Sequence, residues 1–386
     1  MLKGLLRLAP CAAFLFTLVS TAHAEEGGQV FTGTLGKMPI VVELNTRDAN
    51  EVTGRYFYEK FHRDLALSGT LADKTLTLNE GDNRYGDDKP LPTLKLKQTA
   101  NGWQGKWASP KGRTLEVQLT EAEPKAPAAT ALPFIAALTK SDPYEYLRVQ
   151  GLTLKPGKKE MFMGYGLQWW SEPVSKVSLF SVESGYPKAD LERVNQQLLG
   201  RLWSESINYY SCQLRGGKNA EFEQGAAPTF LSPDVVSLNI STRYDCGGAH
   251  PDFGDSPLNF DVHTGRVLVL ADVLWIDEAD TPSTTPDSDT RASHQHDVMV
   301  PWLIKQFTTL YPEEMKKPAA GDEDSCDYTD ESVWSYSNWH FTATGLYLGA
   351  YFARYQRGCD SPDWSVLPYS LIKQHPGAVK LELPKG

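Results

Sequence analysis

Asp190-Leu-Glu-Arg-Val-Asn-Gln-Gln-Leu-Leu-Gly-Arg-Leu-Trp203 (DLERVNQQLLGRLW) is where a helical period enters this 386-residue chain. Leu191, Val194, Leu198 and Leu202 fall on one face, with Leu199 and Trp203 one face over, the spacing of an amphipathic helix. Upstream, residues 30–119 obey a different rule. They are short alternating runs (FTGTL, IVVEL, VTGRYFY, LALSGTL, TLTLNE, LKLKQ, WQGKW, TLEVQL) separated by turn signals such as Asp48-Ala49-Asn50, Glu80-Gly81-Asp82 and Asn101-Gly102. Period-two alternation between Gly/Asn/Asp turns predicts an all-β N-terminal domain over 25–120, an antiparallel meander forming a small barrel or sandwich. Gly33, Gly54, Gly69 and Gly105 sit inside strand patterns, where glycine marks bulges or barrel corners.

Downstream of an Ala/Pro/Glu-rich linker at 121–140, residues 141–386 predict an α+β domain with antiparallel sheet and two main helices. The second helix is expected around 302–311, with Leu303, Phe307 and Leu310 on one face. Strands are expected at 236–244, at 259–261 with 266–270, and at 339–342 with 346–355. The loops 277–289 and 319–331 are polar and acidic, and are expected to be exposed.

The first 24 residues, MLKGLLRLAPCAAFLFTLVSTAHA, have the parts of a secretory signal. Lys3 and Arg7 give a positive start, residues 12–20 an apolar core too short to span a bilayer, and Ala22-His23-Ala24 a cleavage site after Ala24. The expectation is a periplasmic, exported protein with no membrane span. The signal holds Lys3 and Arg7 and no acid, so its removal takes the formal charge from −10 to −12. That balance disfavours nucleic acid as a partner and favours a cationic one.

Four cysteines lie beyond the signal: Cys212, Cys246, Cys326 and Cys359. An even number in an exported chain points to disulfides. Of three connectivities, Cys212–Cys246 with Cys326–Cys359 is favoured, because each pair flanks one helix–strand or strand–strand return. A nucleophilic Cys246 would need cationic neighbours to lower its pKa, and Asp245 and Asp252 have the wrong sign.

Residues 244–255 (YDCGGAHPDFGD) place a cysteine, a histidine and several carboxylates in one turn. Gly247 and Gly248 permit a tight turn at a strand end, and Pro251 keeps His250 extended. A hydrolytic His250 would need a nucleophile and an orienting acid, and the chain has no G-x-S-x-G elbow. A zinc site would need a second ligand at short spacing; His263 is thirteen residues away, and His294-x-His296-Asp297 lacks a third partner in sequence. No catalytic residue, metal ligand or cofactor is therefore expected.

Cys246-Gly247-Gly248-Ala249-His250-Pro251, followed by Asn259-Phe-Asp-Val-His-Thr-Gly265-Arg-Val-Leu-Val-Leu-Ala-Asp-Val-Leu274, resembles the GGAHP core of a secreted domain family of unknown function. Phe341-Thr-Ala-Thr-Gly-Leu-Tyr-Leu348 and Val366-Leu-Pro-Tyr-Ser-Leu371 are similar to that family's closing strands, and the resemblance covers roughly residues 170–373. The family occurs in the extracellular part of a lysozyme-sensing anti-sigma factor and beside the catalytic domain of some peptidoglycan deacetylases. The resemblance implies a non-enzymatic α+β module that binds lysozyme-type muramidases in at least one lineage. This chain departs from the sensor in its added N-terminal β-domain, its four cysteines and its want of a membrane helix.

The leading expectation is a binding protein for a cationic lysozyme-type cell-wall hydrolase, acting as inhibitor or scavenger. Asp322, Glu323, Asp324 and Asp327 would steer such a partner, and the second candidate surface is His250, Asp252, Phe253 and Asp255. Gly247, Gly248, Ala249, Pro251 and Gly265 are read as structural. The alternative is a structural or accessory envelope protein that binds peptidoglycan or another ligand, or an accessory to a peptidoglycan-modifying enzyme. Under that alternative Tyr56, Tyr58, Trp103 and Trp107 could line a glycan site on the β-domain.

Overall fold

Alternation in residues 30–119 resolves into eight strands in the computed structural model, which describes residues 28–81, 89–276, 294–319, 321 and 325–385. The strands are β1 (Gln29–Leu35), β2 (Met38–Asn45), β3 (Val52–Tyr58), β4 (Asp64–Ala72), β5 (Thr75–Glu80), β6 (Thr93–Gln98), β7 (Gly102–Ala108) and β8 (Thr114–Glu121). Each pairs antiparallel with the next, and β8 returns to pair with β1, closing a barrel. Barrel, not sandwich, is the outcome. Every second residue turns inward: Leu76 and Leu78 are buried while Thr77 between them is exposed. The inward set, with Ile40, Val42, Leu94, Leu96 and Val117, fills the interior and leaves no ligand-sized space.

Closing eight strands requires strong coiling, and two glycines show where. A Cβ built at Gly33 would lie 1.9 Å from the Gln118 carbonyl oxygen, and one at Gly69 would lie 2.0 Å from that of Thr77. The aromatic residues considered for a glycan site are tied into the barrel. Tyr56 and Trp103 are core, and the Tyr56 hydroxyl and Trp107 Nε1 both donate to Glu80, at 2.7 and 2.6 Å.

Inside the stretch read as linker, the chain becomes helical. Helix α1 (Pro133–Ser141) is followed by α2 (Pro143–Gln150), each opening on a proline, which suits a first helical turn. Leu138 of α1 packs with Tyr146, Val149 and Trp203. Helix α2 lies against the outside of the barrel, its Tyr144 edge-on to Phe57 at 5.1 Å and buried with Val30 and Val41.

The remainder is built on three antiparallel sheets. The first is β9 (Lys155–Phe162), β10 (Tyr165–Ser171) and β11 (Ser178–Ser184), with β10 central. Helix α3 (Lys188–Gly216) then runs 29 residues, about 43 Å at 1.5 Å per residue. The second sheet is β12 (Glu221–Leu231), β13 (Val235–Asp245), β14 (Asp252–Asp255) and β15 (Leu258–Asp261); β13 pairs with β12 on one edge and with both β14 and β15 on the other. Helix α4 (Val300–Leu310) precedes the third sheet, β16 (Asn338–Phe341), β17 (Gly345–Gly349) and β18 (Val366–Pro368). Val194, Leu198 and Leu202 of α3 join Phe180 and Leu238 in one core; Leu303 and Phe307 of α4 join Trp334, Phe341 and Leu348 in another.

Several expectations change. The helix read at 190–203 runs more than three turns beyond Trp203, to Gly216, and α1, α2 and the β9–β11 sheet were not foreseen, so more than two main helices are present. Residues 266–270 form only a bridge, Phe260 to Val267, instead of a strand. Asp272 is the cause: its carboxylate accepts from Val269 N at 2.9 Å and meets Arg266 at 3.0 Å, turning Leu270–Val273 into one helical turn. The strand read at 346–355 stops at Gly349, the residue paired with Asn338 at the start of β16, and Arg354–Cys359 winds into 3₁₀ turns. Among the described residues no helix is long and apolar enough to cross a membrane.

Candidate functional site

β13 ends at Asp245, and the next residue, Cys246, is bonded to Cys212 in the last turns of α3. The chain then turns through Gly247, at φ +76°, where Asp245 Oδ1 accepts from Gly247 N at 3.1 Å. It returns as β14, pairing Phe253 with Arg243. Gly248, Ala249, His250 and Pro251 are exposed at the tip, and among the described residues the His250 ring hydrogen-bonds only with its neighbour's carbonyl, Pro251 O, at 3.2 Å. A Cβ at Gly248 would meet nothing, so of the pair only Gly247 is demanded by the backbone. Gly265, at φ +71°, closes a separate turn in which its N–H donates to Asp261 O.

Beneath this loop lies an open cleft of about 790 Å³. One wall is the outer face of α3, with Arg201, Glu205 and Asn208; the other is Tyr244, Asp252 and Phe253, with Tyr351 at its end. Arg201 pairs with Glu205 at 2.6 Å and donates to Ser256 Oγ at 2.6 Å, tying helix to sheet below the cleft. Two smaller hollows, about 310 and 400 Å³, share Phe253, Gly254 and Asp255 with the cleft. β14 is thus the ridge on which three depressions meet.

Arg357 organises the ridge. Its Nη1 meets Asp252 at 2.9 Å, its Nε is paired with Asp360, and its Nη2 donates to Phe253 O at 2.5 Å. The guanidinium lies over the rings of Phe253 and Tyr351 at 4.5 and 4.6 Å, a cation–π stack. Partial burial works against its charge, but Asp360, with Tyr351 and Asp252, holds its pKa above the ordinary arginine value. Phe253 and Tyr351 still show 47% and 50% of their surface to solvent, and Tyr336 at the edge of the smallest hollow shows 86%. The second disulfide, Cys326–Cys359, anchors this segment, with the Tyr328 hydroxyl donating to Cys359 O at 3.0 Å.

His250, Asp252, Phe253 and Asp255 are therefore brought together around one cleft. Asp322, Glu323 and Asp324 lie outside the described residues, as does the signal at 1–24. Asp327 is turned into its own loop, accepting from Thr329 N and Oγ1 at 3.0 and 2.6 Å. Tyr336, Tyr351, Arg357 and Asp360 were missed. The signal that could have found Tyr351 and Arg357 is the density of tyrosine and arginine ahead of Cys359, in Tyr351-Phe-Ala-Arg-Tyr-Gln-Arg357.

Barrel, helical seam and aromatic-ridged cleft define a β-barrel joined to an α+β module. No protein-family profile matches the chain, and no curated protein matches it. Among solved structures, a member of the DUF3298 family from Bacteroides fragilis is similar to 58% of this chain and 94% of its own, at 12% identity and a TM-score of 0.31.

Proposed function

We propose that this chain is an exported, non-enzymatic binding protein whose contact surface is the ridge from Asp252 to Asp255 and the cleft beside it, and whose partner is a cationic lysozyme-type hydrolase. The observation that carries this reading is the Phe253–Arg357–Tyr351 stack. Aromatic side chains that face solvent and are rigidly held, as Phe253 and Tyr351 are by the largely buried Arg357, are among those that dominate protein–protein binding energy. The two disulfides suit an oxidising compartment, and the acid excess suits a basic partner. The direct test adds the chain to lysozyme acting on cell-wall suspensions. Clearing should slow in proportion to added chain and level off at a fixed molar ratio. Unchanged clearing at saturating chain refutes inhibition of that enzyme.

A second reading is supported by the concave shape. An inhibitor of a cleft enzyme presents something convex, whereas here the main feature is a groove along α3 bordered by aromatic rings and polar side chains. Such a groove accepts an elongated ligand, and a peptidoglycan strand is the envelope polymer of that kind. Soluble peptidoglycan fragments in the clearing assay's place, followed by calorimetry, separate the two.

A further inference from the structure

Charge on the ridge is unevenly settled. Asp252 and Asp360 share the Arg357 guanidinium. Asp255 has only neutral donors: Asn239 Nδ2 at 2.9 Å on one oxygen and Ser361 Oγ at 3.2 Å on the other. Among the described residues no lysine or arginine pairs with it. His340, the imidazole whose titration Asp255 influences, is held neutral by burial, its pKa lowered to about 4. Asp255 stands two residues from Phe253, on the same side of β14. With Asp360 and Ser361 it forms the polar side of the hollow of about 310 Å³ that Phe253, Tyr336, Tyr351 and Arg357 wall, Arg357 being already neutralised by Asp252 and Asp360.

We propose that this hollow receives one cationic side chain of a protein partner, a lysine or arginine whose alkyl stem lies against Phe253, Tyr336 and Tyr351 and whose charge meets Asp255. The inference rests on the reading of this ridge as a protein-contact surface, and names the group it selects. Arg357 shows the same chemistry within the molecule: a guanidinium held between two of these rings and against carboxylates. Long cationic side chains bury their stems on apolar surface while the charged head finds a polar partner. A carboxylate already fixed by two hydrogen bonds needs no rearrangement to accept it.

The test uses the full chain from residue 25 onward with tyrosine rings labelled for NMR. The probe is Nα-acetyl-lysine methylamide, with its uncharged norleucine counterpart and N-acetylglucosamine oligomers as controls. The lysine probe should shift the Tyr336 and Tyr351 signals, and the norleucine compound should not. Asp255→Asn should weaken the lysine probe about tenfold or more, and so should Tyr336→Ala, whose exposed ring is not needed for folding. No shift with the lysine probe overturns the proposal. Equal shifts from norleucine make the hollow merely apolar, and shifts from the oligosaccharide alone make it a sugar subsite; either result also overturns it. Because the probe is a small molecule, the outcome is separable from the partner assignment. Probe binding without lysozyme binding would keep the subsite and remove that partner.

Discussion

The Arg148 guanidinium, with none of its side chain exposed, meets the Asp64 carboxylate at 2.7 Å across the seam between α2 and the barrel strand β4. It also pairs with Glu145 at 2.7 Å and lies over the rings of Phe57, from the barrel, and Tyr210, from α3. Arg55 of β3 closes the network, reaching Glu43 at 2.6 Å and Glu145 at 2.9 Å. Burial pushes the Glu145 carboxyl up, and Arg148 and Arg55 pull it back. Through this network the barrel, α2 and α3 are joined by groups that cannot be separated without stranding charge.

Arg148→Met should therefore cost about 3–5 kcal/mol, because Asp64 would be left buried without its cation and Glu145 with Arg55 alone. Urea unfolding measures it. The double variant Arg148→Met with Asp64→Asn should recover part of the loss; a strictly additive double variant would mean that the two groups do not act as a pair.

Removing the Cys212–Cys246 bond, 34 residues apart, should cost about 3–4 kcal/mol on the chain-entropy account. The Cys326–Cys359 bond, 33 apart, should cost about the same. The two should differ in binding. Cys246 begins the turn into β14 and Cys359 adjoins Asp360 and Arg357, so each loss loosens one side of the ridge. Melting and hydrogen exchange of the paired Cys→Ala variants check both effects.

Stability should rise with pH between about 4 and 6.5. Burial lowers the His340 pKa from 6.5 to about 4, partly opposed by Asp255, and burial lowers that of His62 as well, with Arg148 adding to the effect. In that window the unfolded chain holds protons that the folded chain does not, so unfolding gains as pH falls and the stabilisation is complete only above 6.5. His340→Gln should flatten the slope of unfolding free energy against pH, and an unchanged slope would remove His340 as its source.

His250→Ala should change stability by less than about 0.5 kcal/mol, the range for exposed positions without special contacts. A preparation of either form should show only background peptidoglycan hydrolysis. Hydrolysis by the wild type that the variant lacks would make this loop catalytic.

The barrel was legible because one buried face per strand imposes strict alternation, as in Thr75-Leu-Thr-Leu78. The disulfide pairing was legible because each bond spans one local return of the chain. α2 was not, since its buried face includes Glu145 and Arg148, charges whose partners on the barrel lie 80 or more positions earlier. β9, KPGKKEMF, is a lysine-rich edge with almost no buried residue and so lacks a strand's signature. In the site, the loop 244–255 could be singled out by its composition. That Arg357 is its partner could not be read, Asp252 and Arg357 lying 105 residues apart. Periodicity reports burial along one element, and the ridge is made by contacts between distant ones.

The central claim is that the ridge around Phe253 binds a cationic hydrolase, and surface plasmon resonance of the chain from residue 25 onward against hen-type and phage-type lysozymes tests it most directly. The account predicts binding to at least one of them that weakens as salt rises, and that Phe253→Ala and Tyr351→Ala each weaken mainly by faster dissociation, as central contacts do. No binding to either enzyme at micromolar concentration, or binding that both variants leave unchanged, would contradict it.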